Sequence, residues 1–238
     1  MKKALGYVYN SCELITIELM QEIAKARQNH EVIGLGIETD EFFLGKHGRN
    51  PLTNFEDRMA IAKSISGVDF VFKIDDEEDY EPQSYTVPEK KQIPSKVYGV
   101  AYAPGTYDLF HRGHLEHLME VKSMCDILVV GVNSDELVFT NKQKHTKLSA
   151  SDRIAVVKNL RFVDYVFEVT TNEKKIANDW VKQNVGRPIN VIVVGSDLKG
   201  QDFQNSEGIP ILFTERDPEL MKVRCSTYFR EELKKLQS

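Results

Sequence analysis

The feature that most constrains this chain is a gapless repeat of itself at an offset of 95 residues. Asp40 matches Asp135, Glu41 matches Glu136, Arg58 matches Arg153, Asp69 matches Asp164 and Phe72 matches Phe167, all in one register. Tyr7 with Tyr102, Gly36 with Gly131 and Asp57 with Asp152 extend the match from about residue 3 to about residue 75. A unit of about 70 residues is far longer than a solenoid repeat, so the pattern implies duplication of part of a domain.

Both copies carry the same punctuation. A strand (Ala4–Tyr9; Val97–Ala103) leads to an amphipathic helix (Glu13–Arg27; Arg112–Met124) and a second strand (Val32–Ile37; Ile127–Val132). A polar loop, a further helix (Phe55–Ser66; Ser151–Leu160) and a short strand (Phe70–Phe72; Tyr165–Phe167) complete each copy. Strands alternating with helices predict parallel βαβ units, hence an α/β fold. In the second copy Leu115, Leu118 and Met119 fall on one helical stripe expected to face a sheet. Only that copy continues, with a helix near Lys174–Gln183, strands at Asn190–Val194 and Ile209–Phe213, and a helix from Ser226. It alone has material for a doubly wound, five-stranded parallel sheet. The expected organisation is a truncated copy at 1–74, a charged, proline-bearing linker at 75–95 and a complete domain at 96–238.

Composition narrows the functions. A net charge of −5 provides no broad basic field for nucleic acid or anionic membranes, so any phosphate site must be local. Cys12, Cys125 and Cys225 are odd in number and form no CxxC pair, which points to packed thiols in a reducing compartment rather than disulfides or a zinc knuckle. No apolar run reaches the roughly 18 residues of a membrane span, and the opening residues lack a signal-type core. The sequence predicts a soluble cytoplasmic protein.

The chemistry concentrates in YAPGTYDLFHRGHLEHL, Tyr102–Leu118, where a strand meets Gly105-Thr106 and then His111-Arg112-Gly113-His114 at the mouth of a helix. In open parallel sheets ligands sit beyond the carboxyl ends of the strands, and a helix N-terminus offers N–H groups and partial positive charge to a phosphate. Histidines three apart in a first turn share a face. Gly113 between them lets a phosphate approach the backbone.

This conjunction of strand, Gly-Thr-Tyr-Asp and His-Arg-Gly-His strongly resembles the HxGH nucleotidylyltransferases, in particular the cytidylyltransferases acting on glycerol 3-phosphate, over about residues 97–237. The resemblance implies a Rossmann-like catalytic domain that transfers CMP from Mg²⁺-bound CTP to a small phosphorylated alcohol and releases pyrophosphate. It implies catalytic roles for His111, His114 and Lys144, and nucleotide contacts from Gly105, Thr106, Gly113, Arg161, Asp164, Ser226 and Thr227. It places Asp108, Lys142 and Asp197 at the acceptor, and it implies no protein ligand set for the metal. The family's arginine before Ser-Thr is here Met221; Arg216, Lys222 and Arg224 surround it as candidate replacements, with Arg216 taken into the catalytic set. Glycerol phosphate is the first acceptor. Phosphocholine and phosphoethanolamine are alternatives, as are AMP transfer within the same superfamily and a nucleotide-binding regulator without catalysis.

At the 95-residue offset His111, Gly113 and His114 become Thr16, Glu18 and Leu19. Lys142, Lys144 and Arg161 become His47, Arg49 and Ser66. A glutamate at a helix mouth repels a triphosphate. The first copy is therefore expected to be silent and to act as a dimer partner, within a homodimer or as an intrachain pseudo-dimer.

Overall fold

A computed structural model describes residues 3–77, 96–199, 206, 208–215 and 225–236. The chain divides into two compact units: Met1–Lys91 with Asn159–Arg161 and Phe229–Ser238, and Gln92–Lys158 with Phe162–Tyr228. The proposed linker, apart from residues 75–77, lies outside the described residues, as do Arg216, Met221, Lys222 and Arg224.

The first unit runs β1 (Lys3–Tyr9), α1 (Ile17–Asn29), β2 (His30–Glu38), α2 (Asp40–His47), α3 (Phe55–Ser64) and β3 (Phe70–Ile74). Its three strands are parallel in the order β1-β2-β3. The helix expected from Glu13 starts four residues later because Thr16 caps it, accepting the Leu19 N–H through its hydroxyl. Residues 159–161 belong to this unit: the Ser66 N–H donates to the Asn159 carbonyl at 2.7 Å, and the Arg161 N–H to that of Ser64 at 2.9 Å.

The second unit contains β4 (Tyr98–Gly105), α4 (Arg112–Met124), β5 (Cys125–Asn133), α5 (Asp135–Lys142), α6 (Ala150–Lys158), β6 (Tyr165–Val169), α7 (Lys174–Val185), β7 (Val191–Gly195) and β8 (Ile211–Thr214). Helix α8 (Ser226–Leu236) begins in this unit and continues in the first. The five strands are parallel in the order β6-β5-β4-β7-β8, the doubly wound sheet expected from the sequence. Leu128, Val129, Val130 and Val132 of β5 and Val191–Val194 of β7 are buried, the continuous apolar runs of strands covered on both faces. Strand order reverses between β4 and β7, which opens the ligand crevice at their carboxyl ends.

Three expectations are corrected. The polar loops after β2 and β5 are helices, α2 and α5, with side-chain caps from Thr39 and Ser134 and left-handed ends at Gly48 and Gln143. Each has eight residues and buries only Phe43, or Leu137 and Val138, so neither carries a readable apolar stripe. Met119 is exposed; the face that α4 buries is Leu115, His117, Leu118 and Val121.

The two units repeat their buried polar contacts. Arg58 donates to the carbonyls of Thr53 and Ser11 and to Asp40 at 3.1, 2.9 and 2.6 Å. Arg153 donates to the carbonyls of Leu148 and Thr106 and to Asp135 at 3.2, 2.5 and 2.6 Å. Asp69 accepts the Ile33 N–H and Asp164 the Leu128 N–H, both at 2.7 Å. Every partner differs from its counterpart by the sequence offset.

Candidate active site

The site is built at the carboxyl end of β4, inside the second unit. Gly105 ends the strand, and a Cβ there would come within 2.7 Å of the Tyr107 ring. That ring, its hydroxyl bonded to the Ala103 carbonyl at 3.1 Å, is what demands glycine. Tyr107 and Leu109 both adopt left-handed backbone, φ 55° and 49°, so the turn is strained at two bulky residues. Such strain is typical where a backbone must present particular groups.

The turn delivers His111 as the N-cap of α4. Its Nδ1 accepts the Gly113 N–H at 3.1 Å, which leaves the proton of the neutral ring on Nε2. His114, in the first turn, stacks on it with ring centroids 3.8 Å apart and planes 23° from parallel. Tyr107 and Phe110 flank His114 at 5.3 and 5.5 Å. Both are buried and pack against the imidazole.

Ser226, at the start of α8, closes the other side. Its hydroxyl donates to the Asp108 carbonyl at 2.9 Å and lies 3.4 Å from His111 Nε2. Thr227 follows on the exposed side of the same turn. The openings of α4 and α8 therefore meet at one hydroxyl, which brings two helix N-termini, each with its partial positive charge, to the first imidazole.

The remaining expected residues separate into two groups. Lys142 is exposed and donates to the Thr106 hydroxyl at 3.2 Å, so this cation and the Gly105–Thr106 turn are together. Lys144 is exposed just beyond the left-handed Gln143. Asp197 is exposed in a 3-10 turn, Ser196–Leu198, at the end of β7 and so at the same edge of the sheet.

Asp108 has a different position from the one expected. Its carboxylate is buried and accepts the N–H groups of Lys147 and Leu148, anchoring the loop that carries Lys144. Asp164 precedes β6, takes the Leu128 N–H at 2.7 Å and pairs with Lys122, which puts it at the amino edge of the sheet, a strand length from the histidines. Arg161 spends its guanidinium on the Ile65 and Val68 carbonyls at 2.9 and 2.8 Å, within the first unit. Asp164 is therefore not brought to the histidine pair, and the Arg161 contacts stay within the first unit. Among the described residues no group of three or more His, Cys, Asp or Glu could hold a metal ion.

Sequence reasoning missed His117. It lies on the buried face of α4, and its Nδ1 is 2.8 Å from the Thr214 hydroxyl. A polar side chain on a stripe otherwise of Leu115, Leu118 and Val121 was the available signal.

In the first unit the same edge is closed by its own charges. Glu13 takes both guanidinium nitrogens of Arg49 at 2.8 and 2.7 Å and the Leu52 N–H at 2.6 Å. Glu38 takes Lys46 at 2.6 Å and His47 at 3.3 Å. Leu19, the counterpart of His114, is buried.

Among the described residues no helix is long and apolar enough to cross a membrane. Residues 102–216 match the Cytidylyltransferase-like family model. The chain is 34% identical over 111 residues to the bifunctional protein HldE of Campylobacter concisus, a match covering 45% of this chain and 22% of that protein. It is 26% identical over 110 residues to a protein described as a probable ethanolamine-phosphate cytidylyltransferase of Encephalitozoon cuniculi, covering 46% of this chain and 32% of the other. The match thus spans less than a third of these relatives' length. A lipopolysaccharide core biosynthesis protein of Thermoplasma volcanium, of known crystal structure, is 25% identical, with 50% of this chain and 98% of that one covered at a TM-score of 0.40. The His-Arg-Gly-His turn, at the switch point of a five-stranded parallel sheet, lies within residues 102–216, the part of the chain that is similar to the Cytidylyltransferase-like family.

Proposed function

We propose that the chain transfers CMP from CTP to a small phosphorylated alcohol, with glycerol phosphate the first choice. The observation that carries this reading is the stacked pair His111 and His114 where the openings of α4 and α8 meet at Ser226. A phosphate oxygen of the acceptor attacks the α-phosphorus of CTP in line. The bond from that phosphorus to the β-phosphate bridging oxygen breaks, and pyrophosphate leaves. Mg²⁺ enters with the triphosphate as part of the substrate.

No covalent intermediate on the protein is needed, so the gain comes from positioning and from donors aimed at developing charge. The imidazoles of His111 and His114, at the positive end of the α4 dipole, face the triphosphate. Ser226 and Thr227 at the opening of α8 meet its other side. Lys142 and Lys144 bring positive charge to the acceptor phosphate, and Asp197 offers a carboxylate to a hydroxyl of the acceptor or the ribose.

The first unit, in this reading, is a non-catalytic copy of the same βαβ plan that serves as a structural partner. The repeated contacts of Arg58 and Arg153, and the self-neutralised edge formed by Glu13 and Glu38, support it. A second acceptor, ethanolamine phosphate, is favoured by the Encephalitozoon cuniculi relative. Pyrophosphate release measured with each of the four nucleoside triphosphates against a panel of phospho-alcohols tests both. Release with CTP and glycerol phosphate is expected; release only with ATP, or binding without release, contradicts the proposal.

A further inference from the structure

We propose that His117 is a positioning residue for this transfer, holding α4 in register with the end of β8; the inference rests on the function proposed above. His117 lies on the buried face of the helix whose opening carries His111 and His114. Its Nδ1 is 2.8 Å from the hydroxyl of Thr214, which lies 3.5 Å from the Val194 carbonyl. Both side chains are buried, at 5% and 1% exposure. A buried polar pair of this kind has a single satisfied geometry, and sliding the helix by even part of a turn breaks it.

The location of the pair gives it a functional reading. Thr214 is the last residue of β8, in register with Gly195 at the end of β7. Twelve positions later the chain returns to α4 at Ser226, whose hydroxyl stands against His111. Thr214 and Ser226 are thus both held against α4, through His117 and through His111. An apolar contact at 117 would hold the helix on the sheet without fixing its axial position, because apolar packing is not directional. The His117–Thr214 bond fixes it, and with it the distance from the imidazole pair to the carboxyl ends of β7 and β8. Errors of about 1 Å in such distances cost a positioned reaction about a hundredfold.

The test uses the full chain and steady-state kinetics with the nucleotide and acceptor pair found active in the panel. His117→Leu and Thr214→Val, which keep approximate volume and remove the bond, are expected to lower kcat at least tenfold with KM for the nucleotide within threefold. The double variant is expected to be no slower than either single one, since both remove the same bond. His117→Asn, whose amide can place a polar atom near the position of Nδ1, and Thr214→Ser, which keeps the hydroxyl, are expected to recover activity to within threefold of the parent. Should His117→Leu not fold, the contrast of Thr214→Val with Thr214→Ser makes the same discrimination. Unchanged kcat in Thr214→Val, or losses that multiply in the double variant, overturns the inference alone. A parent chain inactive with every pair overturns the function on which it rests.

Discussion

The imidazoles of His111 and His114 lie face to face with centroids 3.8 Å apart, and the Gly113 N–H fixes the first ring by donating to its Nδ1. One anion at the opening of α4 can therefore meet both rings. Replacement of His114 by Ala is expected to lower turnover at least about a hundredfold, the scale of losing one donor to developing charge. Steady-state kinetics with the thermal unfolding curve as a control checks this, and near-normal turnover in a folded variant would remove the assignment.

Among the described residues Arg58 and Arg153 are the largest fully buried side chains, and each ties the turn after the first strand of its unit to the helix that follows the second. Removing either guanidinium leaves buried carbonyls without donors. Arg58→Met and Arg153→Met are each expected to destabilise by roughly 3 kcal/mol, at the low end for a broken buried pair because Asp40 and Asp135 keep contact with water. Denaturant unfolding of the two variants measures it, and a loss below about 1 kcal/mol would show that water replaces the guanidinium without strain.

The Glu38 carboxyl is held below its usual range. Burial opposes its ionisation, but bonds and charge from Lys46 and His47 outweigh that. A carboxyl depressed in the folded state contributes stability above its unfolded value, about 4.3, and that contribution disappears as pH falls through the folded value. The unfolding midpoint of the parent should therefore fall more steeply below pH 5 than that of Glu38→Gln. Parallel curves for the two proteins would assign the acid sensitivity elsewhere.

The three thiols should differ in reactivity. Burial raises Cys12 to about 12 despite the opposing charge of Arg58, and burial likewise raises Cys125, whereas Cys225 is partly exposed beside Ser226. Since the thiolate is the reactive form, alkylation of the native protein near pH 8 should label Cys225 first and leave the other two until unfolding. Bound CTP should slow the labelling of Cys225. Peptide mass mapping over time follows both effects, and early labelling of Cys12 would contradict the packing described.

The sequence made some parts of this architecture readable and concealed others for identifiable reasons. Helix α4 begins and ends where the residues predict, because the histidine cap and the Leu115–Leu118 stripe both mark it. The short α2 and α5 bury too little to show a period. The imidazole pair and Ser226 could be found from local patterns, since each opens a helix. The resemblance assigns Asp164 and Arg161 to the nucleotide, but Asp164 precedes a strand of the parallel sheet and so stands at the edge opposite the ligand crevice, while Arg161 bonds carbonyls of the first unit. The resemblance places Asp108 at the acceptor, and a carboxylate in a loop gives no sign in the sequence that two backbone N–H groups will claim it. His117 was hidden because its partner, Thr214, is 97 residues away in sequence.

The most direct test of the account is a crystal structure of the full chain with CTP. The account predicts one nucleotide per chain, its triphosphate against His111, His114 and the openings of α4 and α8, and none at the edge closed by Glu13 and Glu38. A nucleotide bound elsewhere, with the two imidazoles still stacked and out of contact with it, would contradict the account.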